Sequence, residues 1–119
     1  MSLKPALTDT DRLRHMRDAA CAAQRFVQGR SRADLDTDEM LAFALVRALE
    51  IIGEAADRLS DPTHAAHPSI PWSDIIGMRH NLIHGYFDVD LDIVWNVATG
   101  KLPDLVTWLD SVLSPPPGA

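Results

Sequence analysis

The segment from Asp36 to Leu59 constrains the fold more than any other part of the chain. Its apolar residues, Met40, Phe43, Ala44, Val46, Leu49, Ile51, Ile52 and Ala55, recur at helical spacing but spread over several faces of the helix. Such a helix cannot rest on a surface by one stripe. It has to be wrapped by neighbours at the centre of a bundle or packed in a dimer. Gly53 lies within it and costs about 1 kcal/mol of helix propensity against alanine. Close approach of another helix is the compensation to look for.

The neighbours are also helical. No run of alternating β-branched residues stands between turn residues, so no strand is expected. A first helix starts near Thr8, whose hydroxyl can cap it, with Asp9 and Asp11 beside the positive end of the dipole. Leu13, Met16, Ala20, Ala23 and Val27 form its stripe, and Gly29 is a C-terminal stop. After a loop from Arg30 to Leu35, the second helix begins at Asp36 or Thr37 and runs to Leu59. Ser60 to Ser69, with Pro62 and Pro68, reads as loop. Pro71 suits the first turn of a third helix from Trp72 to about Tyr86, ended by Gly85. Asp88, Asp90 and Asp92 suit the N-terminus of a fourth helix through Ile93–Ala98 better than a metal loop. Gly100 is expected to break it, and Pro103 to open a last helix through Leu113. The expectation is one all-α antiparallel bundle of four or five helices over residues 1–113, with a disordered tail at 114–119. Its apolar faces are wider than one small bundle buries, so a homodimer is expected.

Composition narrows the function classes. The 119 residues suffice for one compact domain, and 46% apolar against 24% charged is not a disordered composition. Cys21 stands alone, so an internal disulfide is excluded, and its Ala-rich surroundings make it a small core residue. No stretch approaches the roughly 20 apolar residues of a membrane span, and Met1–Pro5 lacks a signal-peptide core, so a soluble cytoplasmic protein is expected. The net charge of −6 opposes a large nucleic-acid footprint. Arg12, Arg14, Arg17, Arg25, Arg30 and Arg32 nevertheless concentrate in the first third. They are either a solvated helix face or a basic rim that guides a polyanion.

Chemistry concentrates in Arg79-His80-Asn81-Leu82-Ile83-His84-Gly85-Tyr86. On a continuous helix His80 and His84 share a face, with Asn81 and Ser73 near it, while Arg79 points about 140° from His84 among Ile75, Ile76, Leu82 and Ile83. An arginine in apolar company needs an anion or a cleft. Glu54 on the second helix is the candidate anion, and a purely structural Arg79–Glu54 pair is one reading. A zinc helix is another, since His80 and His84 have the spacing of two ligands, with His64 and His67 in the preceding loop. The glutamate base of such helices is missing and no third ligand is evident, so no metal is expected. The third reading is a phosphodiester site. RNA carries its own nucleophile in the 2′-hydroxyl, a histidine with an ordinary pKa near 6.5 can move its proton, and a fixed guanidinium can stabilise the charged phosphorane-like state. Tyr86 could stack on a base or bond a phosphate, or simply be a half-buried tyrosine at a helix end.

Arg79-x-x-x-x-His84 with Tyr86 two residues on resembles the R-x4-H-x-Y signature of HepT-like toxins, a branch of the HEPN superfamily. Val46–Ala55 is similar to the second-helix signature of that group, and Trp72, Ile75–Arg79, Asp90, Trp95 and Leu102-Pro103 match its usual pattern. The resemblance spans roughly Leu13 to Leu113. It implies a HEPN-type bundle, a homodimer, and a metal-independent endoribonuclease without cofactor, with Arg79 and His84 as the catalytic pair; the neighbouring His80 and Asn81 are expected to support that pair. It also implies a toxin–antitoxin partner, a minimal nucleotidyltransferase of the MntA type, which can transfer AMP from ATP to the signature tyrosine, here Tyr86. The alternative is a non-catalytic helical module that docks the nucleotidyltransferase.

Overall fold

A computed structural model describes residues 6–82 and 88–114 of the chain. Among them every regular element is helical. The helices are α1 (Asp9–Val27), α2 (Asp34–Thr37), α3 (Glu39–Asp57), α4 (Asp61–Ala66), α5 (Trp72–Ile76), α6 (Met78–Leu82), α7 (Leu91–Asn96) and α8 (Leu102–Leu113). A π-helical turn, Val97–Lys101, joins α7 to α8.

The expected broad helix is the centre of the molecule. Leu45, Leu49 and Ile52 of α3 are fully buried beside Met16 of α1 and Val94, Leu102 and Leu109 of the C-terminal segment. α1 packs along α3 on one side and meets α8 on another, while α5 and α6 lie across the second half of α3. α1 and α3 run antiparallel, because Asp9 at the start of α1 bonds Ser60 just beyond the end of α3. Gly53 fulfils its expected purpose: a Cβ there would sit 3.2 Å from the carbonyl oxygen of Ile75, so the glycine lets α5 lie close on α3. The start of α1 is also as expected. The Thr8 hydroxyl accepts the Asp11 N–H at 3.1 Å, and the Asp11 carboxylate accepts the Thr8 N–H at 2.9 Å, the reciprocal cap that satisfies two first-turn donors.

Four expectations need correction. α3 begins at Glu39 rather than Asp36 or Thr37, because Asp34–Thr37 coils into its own turn and Asp38 leaves the helical region (φ −115°) to cap Leu41 at 3.0 Å. The stretch from Ser60 to Ser69 contains α4, for Pro62 sits in a first turn where its missing N–H is no loss. The Trp72–Tyr86 helix is divided at Gly77 into α5 and α6, and its part beyond Leu82 lies outside the described residues. Gly100 breaks nothing. A glycine stops a helix when the chain turns left-handed there, as Gly29 does at φ 73°, and Gly100 has no positive φ. The helix instead widens: the Leu102 N–H donates to the Val97 carbonyl. Pro103 follows at once without an N–H, and the wide turn just before it is where the helix accommodates that lost donor.

Candidate active site

α6 packs against α3 and α7 and follows α5, which α4 and α8 hold in place. The Trp72 indole N–H at the head of α5 points at the carbonyls of His64 and His67, each 3.1 Å away, and so ties α5 to the end of α4. Trp72 also packs against His64 at 4.8 Å and edge-on to Trp108 of α8 at 5.3 Å. His67 meets the same Trp108 at 5.3 Å, and His64 Nε2 lies 2.8 Å from the Ala56 carbonyl of α3. The two histidines considered as further zinc ligands are thus both part of this aromatic clamp. Among the described residues no three His, Cys, Asp or Glu side chains come together as a metal site. Sequence reasoning passed over the clamp because it treated Ser60–Ser69 as loop. Ser60 with Thr63 and the first-turn Pro62 was the available signal.

Asp9 fixes the other end of α4. It accepts the Ser60 N–H at 3.1 Å and the Ser60 hydroxyl at 2.5 Å, and Thr63 donates to it as well. These bonds, that from the Ser60 hydroxyl above all, hold its carboxyl below the usual carboxylate range.

Gly77 marks the junction between α5 and α6. A Cβ at Gly77 would come within 2.9 Å of the Ser73 carbonyl oxygen, and the Gly77 N–H bonds that same oxygen. The helix is interrupted there for one residue, with Gly77 still in the right-handed helical region (φ −76°, ψ −5°). Ile75 and Met78 are buried, whereas Arg79 and His80 are exposed. The expectation that Arg79 is enclosed by apolar neighbours is therefore corrected, since Arg79 is exposed. The Arg79–Glu54 pair is absent too. Glu54 is exposed on α3 with Arg58 one turn on at 3.5 Å, and no ion pair among the described residues includes Arg79. Asn81 lies on α6, and His84 and Tyr86 fall outside the described residues.

Half of the six arginines of the first third are neutralised. Arg17 meets Asp110 at 2.5 Å, Arg30 meets Asp38 at 2.7 Å and Asp34 at 3.3 Å, and Arg32 meets Asp92 at 2.7 Å and Asp36 at 3.2 Å. A basic rim for a polyanion keeps only Arg12, Arg14 and Arg25 without a carboxylate partner among the described residues. The acidic run before α7 is structural as expected: Asp90 caps α7 by accepting from Asp92 and Ile93, and Asp92 holds Arg32.

Comparison with known proteins agrees with this architecture. The family described as ribonuclease HepT-like matches residues 16–112. A protein of Caldanaerobacter subterraneus subsp. tengcongensis, named as a putative RNase, is 40% identical over 87 residues, which cover 73% of this chain and 78% of that protein. A protein of Thermococcus cleftensis, named as a probable ribonuclease HepT, is 42% identical over 72 residues, or 60% of this chain and 66% of that protein. No solved structure is significantly similar. An all-helical bundle that presents Arg79 and His80 to solvent, matched over most of its length by that family, belongs to the HepT-like ribonucleases of the HEPN superfamily.

Proposed function

We propose that this ribonuclease is a metal-independent endoribonuclease, that Arg79 and His84 are its catalytic pair, and that it acts as the toxin of a two-gene system whose antitoxin is a minimal nucleotidyltransferase. The observation that carries the reading is the exposure of Arg79 and His80 on α6, at the head of the segment that continues to His84. Met78 on the same short helix is buried and anchors it.

The chemistry needs few groups. One imidazole removes the proton of the 2′-hydroxyl, the 2′-oxygen bonds to phosphorus, and the P–O5′ bond breaks as the leaving oxygen is protonated. The products are a 2′,3′-cyclic phosphate and a 5′-hydroxyl. His84 serves the proton transfers, Arg79 stabilises the charge building on the phosphoryl oxygens, and His80 and Asn81 orient the phosphate. In a two-fold dimer two copies of the pair supply acid and base from different chains. The exposed Met40 and Phe43, one turn apart on α3, offer an apolar surface for such pairing. Transfer of AMP from ATP to the Tyr86 oxygen, with release of pyrophosphate, would place a phosphate and an adenosine in the cleft and so exclude RNA. Glu54, occupied by Arg58, is left out of the mechanism.

A second reading, a helical module that only docks the nucleotidyltransferase, draws on the same ion pairs that neutralise the arginines. Two RNA oligonucleotides of one sequence, one native and one 2′-O-methylated throughout, separate the two in EDTA. The native strand is cut to cyclic-phosphate ends and the methylated strand survives. If both survive, or if both are cut, the transfer mechanism is wrong.

A further inference from the structure

Beside α6 lies a groove of about 610 Å³, within the range that holds a small ligand. Its floor is apolar, with Ile75 and Met78 on one side and Val97, Leu102 and Leu105 on the other. Asp74, Lys101 and Asp104 line it as exposed residues, and among the described residues none of the three is in an ion pair. Met78 of the groove wall immediately precedes Arg79 in the chain. Arg79 and Lys101 are the only Lys or Arg residues between Asp61 and Ala119.

The π turn opens this space. Val97, Gly100 and Lys101, all within it, line the groove. Gly100 has no positive φ, and a Cβ on it would meet nothing within 4 Å. Neither backbone conformation nor packing calls for glycine there. Without a side chain, Gly100 leaves that wall of the groove open.

We propose that the groove holds an unpaired base of the RNA, next to the phosphate that Arg79 engages; this rests on the ribonuclease reading. The apolar floor takes the flat faces of the base. The Asp74 and Asp104 carboxylates accept from an exocyclic amine, N4 of cytosine or N6 of adenine. Lys101 meets the adjoining phosphate, and two carboxylates against one ammonium keep that phosphate outside while admitting the base. Uracil presents a carbonyl oxygen in place of the amine and is repelled.

The test uses the ¹⁵N-labelled full chain carrying His84→Ala, which keeps RNA intact, titrated with AMP, CMP and UMP. AMP and CMP should shift the amides of Ile75, Val97, Gly100 and Leu105 and bind about tenfold more tightly than UMP. Asp74→Asn together with Asp104→Asn should erase that preference, and Gly100→Phe should abolish binding while its circular dichroism stays helical. If Gly100→Phe does not fold, the paired Asp→Asn variant decides alone. No shifts at the groove, or equal binding of UMP, overturns the proposal even where the wild-type chain cuts RNA. Nucleotides that bind the groove of a wild-type chain unable to cut RNA leave the base site standing and overturn the ribonuclease reading instead.

Discussion

At the scale of single residues, glycines carry much of the explanation. Gly29 and Gly53 were legible in the sequence: one turns the chain left-handed after α1, and the other lets Ile75 approach α3. Gly53→Val should destabilise the protein by about 1–3 kcal/mol, read by chemical denaturation, because branched bulk would meet backbone that cannot swing aside. A variant as stable as wild type would show that the close approach is not required. Gly77 was not legible as a junction. Helical periodicity assumes an unbroken run, and nothing in the apolar pattern reveals a one-residue interruption at Gly77. Arg79 is exposed rather than enclosed by apolar side chains, and so does not need Glu54. Arg79→Ala is therefore expected to leave the melting temperature nearly unchanged while lowering RNA cleavage about 10²–10³-fold. A large loss of stability with cleavage intact would return Arg79 to a structural role.

At the scale of elements, capping was more readable than termination. The Thr8 cap and the acidic start of α7 follow from side chains that satisfy first-turn N–H groups, a local matter. Gly100 misled because it was taken as a boundary, whereas it sits in a π turn inside one continuous helical path; Pro103 does fall in the first turn of α8, as expected. α4 was missed because its hold on the molecule comes from Asp9, far away in sequence. Its attachment should be acid-sensitive. Hydrogen bonds and Arg30 lower the carboxyls of Asp9, Asp11, Asp34 and Asp38 in the folded state: the Ser60 hydroxyl acts first on Asp9, the Thr8 N–H on Asp11, the Ser31 N–H on Asp34 and Arg30 on Asp38. A carboxyl depressed on folding contributes its full stabilisation above its unfolded pKa of about 3.9 and loses it as pH falls through the lower folded value. Melting temperature should thus hold from pH 6 to 5 and fall toward pH 3, with the amides of α4 exchanging earlier in Asp9→Ala than in wild type. A melting temperature flat down to pH 3 would contradict this.

For the whole molecule, the all-α class and the central helix followed from the breadth of one apolar surface, and the buried Leu45, Leu49 and Ile52 bear that out. The same breadth leaves Met40 83% and Phe43 68% exposed, with Phe26 at 37%. Replacing Met40 and Phe43 together by glutamate should leave the isolated fold within about 0.5 kcal/mol per site of wild type and convert dimer to monomer in sedimentation. Wild type that sediments as a monomer would leave these side chains without the partner proposed for them. The central claim is that Arg79 and His84 cleave RNA without metal, and the most direct measurement compares wild type with folded His84→Ala on end-labelled RNA in EDTA. Wild type should yield 2′,3′-cyclic phosphate ends, and the variant should be slower by about 10²–10⁴-fold. Equal rates, or cleavage that appears only when a divalent metal is restored, would contradict it.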